Sequence, residues 1–473
     1  MVEKRGDFVI KQNSNMTEGP LLGKMISYTI PLILTGVLQL FFNAADLVIV
    51  GQFGDSKSNA VAAVGCTSAI TALMTNFFIG CSAGSGITVA HALGANQKEA
   101  VHKAVHTIIP FAAIGGAILS VLGIVLSEPL LVLMETPDNI RGLSTTYMSI
   151  IFAGMMPNMI FNFGASILRA AGESKKPLYY LIFAGIVNLL LNLLFVIVLR
   201  WDVAGVAVAT VVSHIISAIL VVSALTKRDD DCKLFIRKLK IYSEPLFKIF
   251  KLGIPAGIQS SLFSVSNVMV QSSINSLELT FTGVVAGNAA AQNIQNFAFA
   301  ANGAFYQTAM NFTGQNVGAQ RFDRVKKITY ISLIMTTISG IIIGTLMTVF
   351  REPLVSIYVT DSPEAVHWGM VRMVYICVPF LVGGIMDIST GVLRGMGLSM
   401  FPMFASIFGV CVFRVVWILT LFQIPAFHRP ESLWLSYVIS WAITFAIQMV
   451  MLIVLLSKKI KTQKNNSEVQ NAG

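Results

Sequence analysis

Twelve apolar segments follow one another along the 473 positions, and they restrict the fold more than any motif does. They fall at about 28–50, 60–90, 104–126, 142–168, 177–199 and 203–226, then at 246–276, 284–316, 328–350, 364–393, 402–424 and 432–457. A run of about 20 such residues forms a helix long enough to cross the hydrocarbon of a bilayer. Inside lipid every backbone N–H and C=O must find its partner within the protein, and helices satisfy that locally. Barrel strands would instead show alternation over ~10 residues. Composition agrees: 55% of residues are hydrophobic and 12% charged, where a soluble domain has about a quarter charged. The expected fold class is an all-α polytopic membrane protein with twelve transmembrane helices. The first 26 residues are too polar for a signal peptide, so the first span is expected to remain.

Twelve spans return both termini to one side. Of 33 Lys and Arg, 26 lie in the two tails (Lys4 to Lys24, Lys458 to Lys464) and in the loops on that side. Five lie opposite: Lys57, Arg141, Arg200, Arg351 and Arg429. Basic loops stay cytoplasmic, so both termini are expected in the cytoplasm of a protein crossing the plasma (inner) membrane.

The two halves repeat. Ile30-Pro31 returns as Ile254-Pro255, Asn43 as Asn267, Gly94-Ala95 as Gly318-Ala319, and Glu128-Pro129-Leu130 as Glu352-Pro353-Leu354, each 224 positions on. Leu168-Arg169-x-x-Gly172 and Pro177 return as Leu393-Arg394-x-x-Gly397 and Pro402, 225 positions on. Six spans per repeat give both copies the same orientation, related by an axis along the membrane normal. This divides the chain into two pseudo-symmetric six-helix lobes, 1–226 and 246–473, with a cytoplasmic tail on the second. The polar, basic stretch 227–245 reads as a solvated linker.

Of 23 Asp and Glu, only Asp46 and Asp387 fall inside the expected spans, Glu364 standing at the first position of its own. An ionisable group there costs several kcal/mol and marks an ion or substrate site by default; the alternative is a protonated Asp bonded between helices. At 1.5 Å per residue, Asp46 lies about 7 Å from the outer end of its span, and Asn192 and Thr210 about 12 Å from theirs. Gln39, Asn43 and Asp46 share one helix face at i, i+4, i+7, as do Asn188 and Asn192. Interhelical hydrogen bonding is the other reading of those amides. A carboxylate among amide and hydroxyl oxygens suits Na⁺ as well as H⁺, and Asp46 is the one place where Na⁺ is expected. Asp387, about 9 Å from the inner end of its span, is expected apart from that pocket, in an ion pair with Arg414 or in a binding role. Gln259, Asn267, Gln271 and Gln292, with Gln39, Asn43 and Asp387, are the polar candidates for a substrate cavity between the lobes. The chain's 21 Met and 31 Phe supply adaptable walls. His91, His102 and His106 read as solvated near a loop. The five cysteines lack metal-ligand spacing. No P-loop, His-Glu-x-x-His or nucleophile elbow occurs, so neither an enzyme nor a cofactor is expected.

Pro31 and Asp46-x-x-x-x-Gly51, Gly94-Ala-Asn, Asn162-x-x-x-x-x-Leu168-Arg-Ala-Ala-Gly172-Glu-Ser-Lys-Lys-Pro177, Asn188-x-x-x-Asn192-x-x-Phe195 and Gly205-x-Ala-x-Ala-Thr210 stand in an order that resembles the multidrug and toxic compound extrusion (MATE) family. The resemblance runs over about residues 17 to 457. It implies two lobes in a V, a central cavity, and export of organic compounds, cationic ones foremost, driven by inward H⁺ or Na⁺. It adds Asn162 to the ion-coupling set of Asp46, Asn188, Asn192 and Thr210. Two departures stand out. Asn192 occupies a position where the family often has Asp, and Phe263 stands where the NorM-like branch carries Glu. The chain is thus more similar to the DinF-like type. A lipid-linked saccharide flippase is the runner-up, though it should carry more intramembrane Arg or Lys than Arg372 and Arg414. A non-transporting receptor is the third class. The expected partners are small organic substrates and membrane lipid, with no nucleic acid, and a monomer suffices.

Overall fold

The computed structural model describes residues 15–54, 57–360 and 362–472; the expected basic residues Lys4, Arg5 and Lys11 lie outside the described residues. Within them the chain is helical, and no strand occurs. The first half runs α1 (Leu21–Phe53), α2 (Lys57–Gly94), α3 (Lys98–Leu133), α4 (Asp138–Ala153), α5 (Met155–Ala170), α6 (Lys175–Asn192) and α7 (Asp202–Thr226). The second runs α8 (Ser243–Ser276), α9 (Val284–Gly318), α10 (Phe322–Val349), the short α11 (Arg351–Ser356), α12 (Pro363–Cys377), α13 (Phe380–Gly395), α14 (Met400–Ser406), α15 (Phe413–Leu419) and α16 (Pro430–Ala472). Six-residue π turns follow α6 (Leu193–Val198) and join α14 to α15 (Ile407–Val412).

Eight of these segments are long and apolar enough to cross a membrane, or ten when each of the bent pairs α4–α5 and α12–α13 counts as one span. Both pairs bend by 45°. The expected spans at 246–276 and 284–316 are helices, α8 and α9, but fall outside that set. The cause is visible in α9, where Asn288, Gln295, Asn302 and Asn316 stand seven or fourteen residues apart and are all buried. Seven residues are close to two helical turns, so these amides form one stripe directed at neighbouring helices rather than at lipid. Large apolar side chains do the reverse. Val121, Val125, Ile342 and Leu346 are more than half exposed, as an inside-out membrane packing requires.

The repeat is written into the backbone. Gly172 and Gly397 both have positive φ (88° and 84°), as do Asn96 and Gln320 (56° and 57°). At both glycines the chain closes the preceding helix alike: Gly172 N donates to Arg169 O and Glu173 N to Leu168 O, while Gly397 N donates to Arg394 O and Leu398 N to Leu393 O. That double bond pattern needs a left-handed residue, hence glycine.

Helices of the two halves meet where residues are small. A Cβ on Gly80 would stand 2.6 Å from the Gly257 N, and one on Gly84 would collide with the Gly253 backbone, so α2 and α8 touch backbone to backbone. Near the same end, the Gln315 amide donates to Ala170 O at 2.7 Å and accepts from Met16 N at 3.0 Å, and Tyr28 donates to Arg169 O at 2.8 Å. The segment after α7 also lies at this end; most of 227–245 is exposed, as expected of a solvated linker, but its first part is packed against the helices. Arg228 is buried against Glu173 at 3.0 Å and in a two-pronged contact with Asp230. Cys232 and Leu234 are buried, and burial pushes the Cys232 thiol up to about 12. Phe235 N donates to His106 Nε2 at 3.0 Å, so His106 too is packed rather than solvated.

Two predictions follow from this packing. Gly84→Ala should lower thermal stability by about 1–3 kcal/mol, because the backbones cannot part without strain. Gly142→Ala, whose new methyl meets nothing within 4 Å, should instead gain about 0.5–1 kcal/mol of helix propensity. Melting of the purified variants distinguishes them, and equal shifts would contradict the contact. Arg228→Ala should cost about 2 kcal/mol by stranding Glu173, while removal of the exposed Lys233–Asp229 pair should cost under about 1 kcal/mol.

Candidate functional site

The face Gln39, Asn43, Asp46 of α1 looks into a cavity of about 540 Å³. The walls come from α1, α2 and α4 to α7, all in the first half of the chain. Tight approach at one wall depends on Gly185 of α6, where a Cβ would strike the ring of Phe42. Asn192 ends α6, and the π turn begins immediately after it. Such turns shift the side chains around them and recur at functional sites.

Four of the five expected coupling residues are joined by hydrogen bonds. Asn192 Nδ2 donates to Asp46 Oδ1 at 2.5 Å and to Asn188 Oδ1 at 3.2 Å. Thr210 Oγ1 lies 3.4 Å from Asp46 Oδ2 and 3.5 Å from Asn188 Nδ2. The same hydroxyl lies 3.0 Å from Val206 O, one turn back on α7. A hydroxyl has a single proton to give. With that proton on Val206 O, a Thr210 lone pair faces Asp46 Oδ2, an arrangement that a proton on Asp46 or a cation between the oxygens makes favourable. Asn192 is fully buried, and its Oδ1 has no hydrogen-bond donor among the described residues. Asn162 lines the cavity but is not in the cluster; its amide donates to Asn158 Oδ1 at 2.6 Å.

Among the lining residues not singled out from sequence are Asn76, Tyr147 and His214. His214 follows Thr210 by four and was findable from helix spacing. Tyr147 sits on α4, where nothing in the sequence marks it.

The substrate candidates separate. Gln39 and Asn43 join Asp46, whereas Asn267, Gln292 and Asp387 line a second cavity of about 290 Å³ in the other half of the chain. Gln259 and Gln271 line neither. Gln259 is buried, donating to Ser406 Oγ at 3.0 Å and accepting from Arg394 Nη2 at 2.7 Å. Gln271 bonds Asn275 and Asn288, each at 2.8 Å.

The expected Asp387–Arg414 ion pair does not form within 4.0 Å among the described residues, although both side chains line the second cavity. Neutral partners have taken the guanidinium: Ser440 Oγ at 3.2 Å from Nε, Asn267 Oδ1 at 3.1 Å from Nη1, and the Tyr437 ring with its centroid 3.8 Å from the central carbon. Asp387 is indeed apart from Asp46, but for a reason other than depth. It stands 225 positions after Asn162, and each lines the cavity of its own half.

Comparison with known proteins agrees with this duplicated arrangement. The model of the MatE family matches the chain twice, over residues 31–194 and 255–420. The "Probable multidrug resistance protein YoeA" of Bacillus subtilis (strain 168) is 29% identical over 433 residues, covering 89% of this chain and 91% of the relative. The "FAD transporter" of Shewanella oneidensis is 22% identical over 373 residues, covering 76% of this chain and 79% of the relative. A solved structure described as the outward-facing conformation of a multidrug resistance MATE family transporter superposes with a TM-score of 0.86, at 17% identity, over 95% of this chain and 99% of that one. With two family matches spanning most of its length, the chain belongs to the MatE family.

Proposed function

We propose that this chain is a secondary antiporter that exports organic compounds, cationic ones among them, in exchange for inward H⁺ or Na⁺. The observation that carries the reading is the Asp46–Asn192–Thr210 cluster, whose Asp46 and Thr210 line the first cavity while Asn192 is buried behind them. One carboxylate there binds one monovalent cation, and the neutral amides and hydroxyl around it neither compensate nor repel that charge. Either ion would leave the pocket uncharged. Relatives bearing multidrug names support an export role, and one bearing a flavin nucleotide name widens the substrate class. The fit to an outward-facing transporter accords with the backbone contacts that hold α2 to α8 at the basic end.

In this reading twelve spans form two six-helix lobes, 1–226 and 246–473, joined by 227–245, in a monomer of the plasma membrane with both termini cytoplasmic. Asn192 and Phe263 keep it nearer the DinF-like than the NorM-like type, with coupling in the first lobe.

Asp46→Asn should abolish export while the protein folds and inserts, because it removes the only carboxylate among the described residues lining the first cavity. Dye efflux from vesicles under separate Na⁺ and pH gradients reads both the loss and the ion. Normal efflux by well-expressed Asp46→Asn protein would overturn the coupling role. Asn192→Asp should retain transport and become more sensitive to membrane potential. Two carboxylates in one pocket ionise together only when a cation sits with them. A second inward charge adds roughly 2.3 kcal/mol per 100 mV of driving force. An unchanged response to a valinomycin-set potential would count against Asn192 lining the coupling pocket.

A further inference from the structure

The second cavity is the repeat image of the first with its charge reversed. Gln39 and Asn43 map 224 positions on to Phe263 and Asn267, which line it, but Asp46 maps to Val270, which is packed in the core. Tyr147 maps 225 positions on to Arg372, and the end of α6 maps near Arg414. Where the first cavity has one carboxylate, the second has two guanidinium groups and Asp387.

Both arginines are buried, at 4% and 3% exposed, and both are held by neutral oxygens. Arg372 donates through Nη1 to Asn288 O and through Nη2 to Gln295 Oε1 at 3.1 Å. Its Nε is buried with no acceptor among the described residues. Arg414 is fixed by Ser440, Asn267 and the Tyr437 ring, as described. Asn288 is itself anchored, for Trp434 Nε1 donates to its Oδ1 at 3.1 Å. Neutral scaffolding orients the two cations without cancelling them, and among the described residues no carboxylate lies within 4.0 Å of either. With Asp387 ionised, the cavity carries one net positive charge in a low-dielectric setting, where a buried unpaired charge is costly. Phe299, Tyr437 and Trp441 add aromatic surface to the same walls.

We infer that this second cavity binds organic monoanions: an aromatic or apolar body no larger than a small bicyclic, carrying a carboxylate or comparable singly charged oxyanion that meets Arg372 and Arg414. An oxyanion matches the fork of donors on a guanidinium and supplies the charge that the cavity lacks. The inference adds a second ligand class to the transport reading. It rests on that reading only for the ligand's being cargo, because binding itself needs no transport.

The test is equilibrium binding by the purified full-length chain of 2-naphthoate and of its cationic counterpart 2-naphthylmethylammonium, read by titration calorimetry. In the Asp46→Asn protein, whose first cavity has lost its carboxylate, 2-naphthoate should bind at least ten-fold more tightly than the cation. Arg414→Gln and Arg372→Gln should each weaken 2-naphthoate at least ten-fold. Asp387→Asn, which removes the opposing charge, should tighten it at least three-fold, and this arm decides the matter if the arginine variants do not fold. Asp46→Asn should change 2-naphthoate affinity less than two-fold even if its export is lost, so failure of the coupling reading and failure of this one are told apart. No 2-naphthoate binding by the parent, equal or stronger binding of the cation by the Asp46→Asn protein, unchanged or weaker 2-naphthoate binding after Asp387→Asn, or loss of 2-naphthoate binding in Asp46→Asn would each overturn the inference.

Discussion

A carboxylate inside an apolar bundle persists only when its charge is met by donors, a proton or a cation, and Asp46 imposes that condition on three helices at once. Asn192 meets one oxygen and Thr210 faces the other, which brings α6 and α7 against α1. Asn188 ties the two partners together, so moving any one helix disturbs the remaining contacts. An isolated buried carboxylate would cost several kcal/mol more than one so surrounded. The π turn after Asn192 and the close approach at Gly185 shape the backbone around that cluster.

The sequence duplication then accounts for much of the remaining architecture. It recurs as paired positive-φ residues, paired helix endings at Gly172 and Gly397, and paired 45° bends. Duplication also gives two cavities at equivalent places, and their side chains make them chemically different. One holds a carboxylate opposite amides; the other holds two arginines opposite an aspartate. A substrate that satisfies one cavity is therefore poorly suited to the other. Between the copies, Gly80 and Gly84 let α2 lie directly on α8, backbone to backbone.

Much of this was legible in the residues, and the failures share a cause. Apolar runs located the helices, because lipid imposes length and composition together, although α1, α3 and α16 run seven or more residues past their expected ends. The i, i+4, i+7 face of α1 and the matching depths of Asn192 and Thr210 correctly brought those side chains to one place. The reading failed wherever partners compete. Asp387 and Arg414 looked like a pair because both were charged, but Ser440, Asn267 and Tyr437 offered Arg414 neutral partners that no local pattern advertises. Arg228 was indistinguishable from its solvated neighbours, since its burial depends on Glu173, far back in the chain. Gln259 looked like cavity lining and is instead a brace between Ser406 and Arg394. The second cavity could have been found by carrying Gln39, Asn43 and Asn162 through the repeat offset, as the duplication was already plain.

The central claim is that one site exchanges an inorganic cation for cargo, and ion release upon cargo binding tests it without any vesicle. Purified protein in weakly buffered detergent solution would be titrated with ethidium, a cationic dye, while a pH indicator follows H⁺ and ²²Na⁺ displacement follows Na⁺. The account predicts release of about one H⁺ or one Na⁺ per ethidium bound by the parent, and none by Asp46→Asn. Saturable ethidium binding by the parent with neither ion released would contradict it.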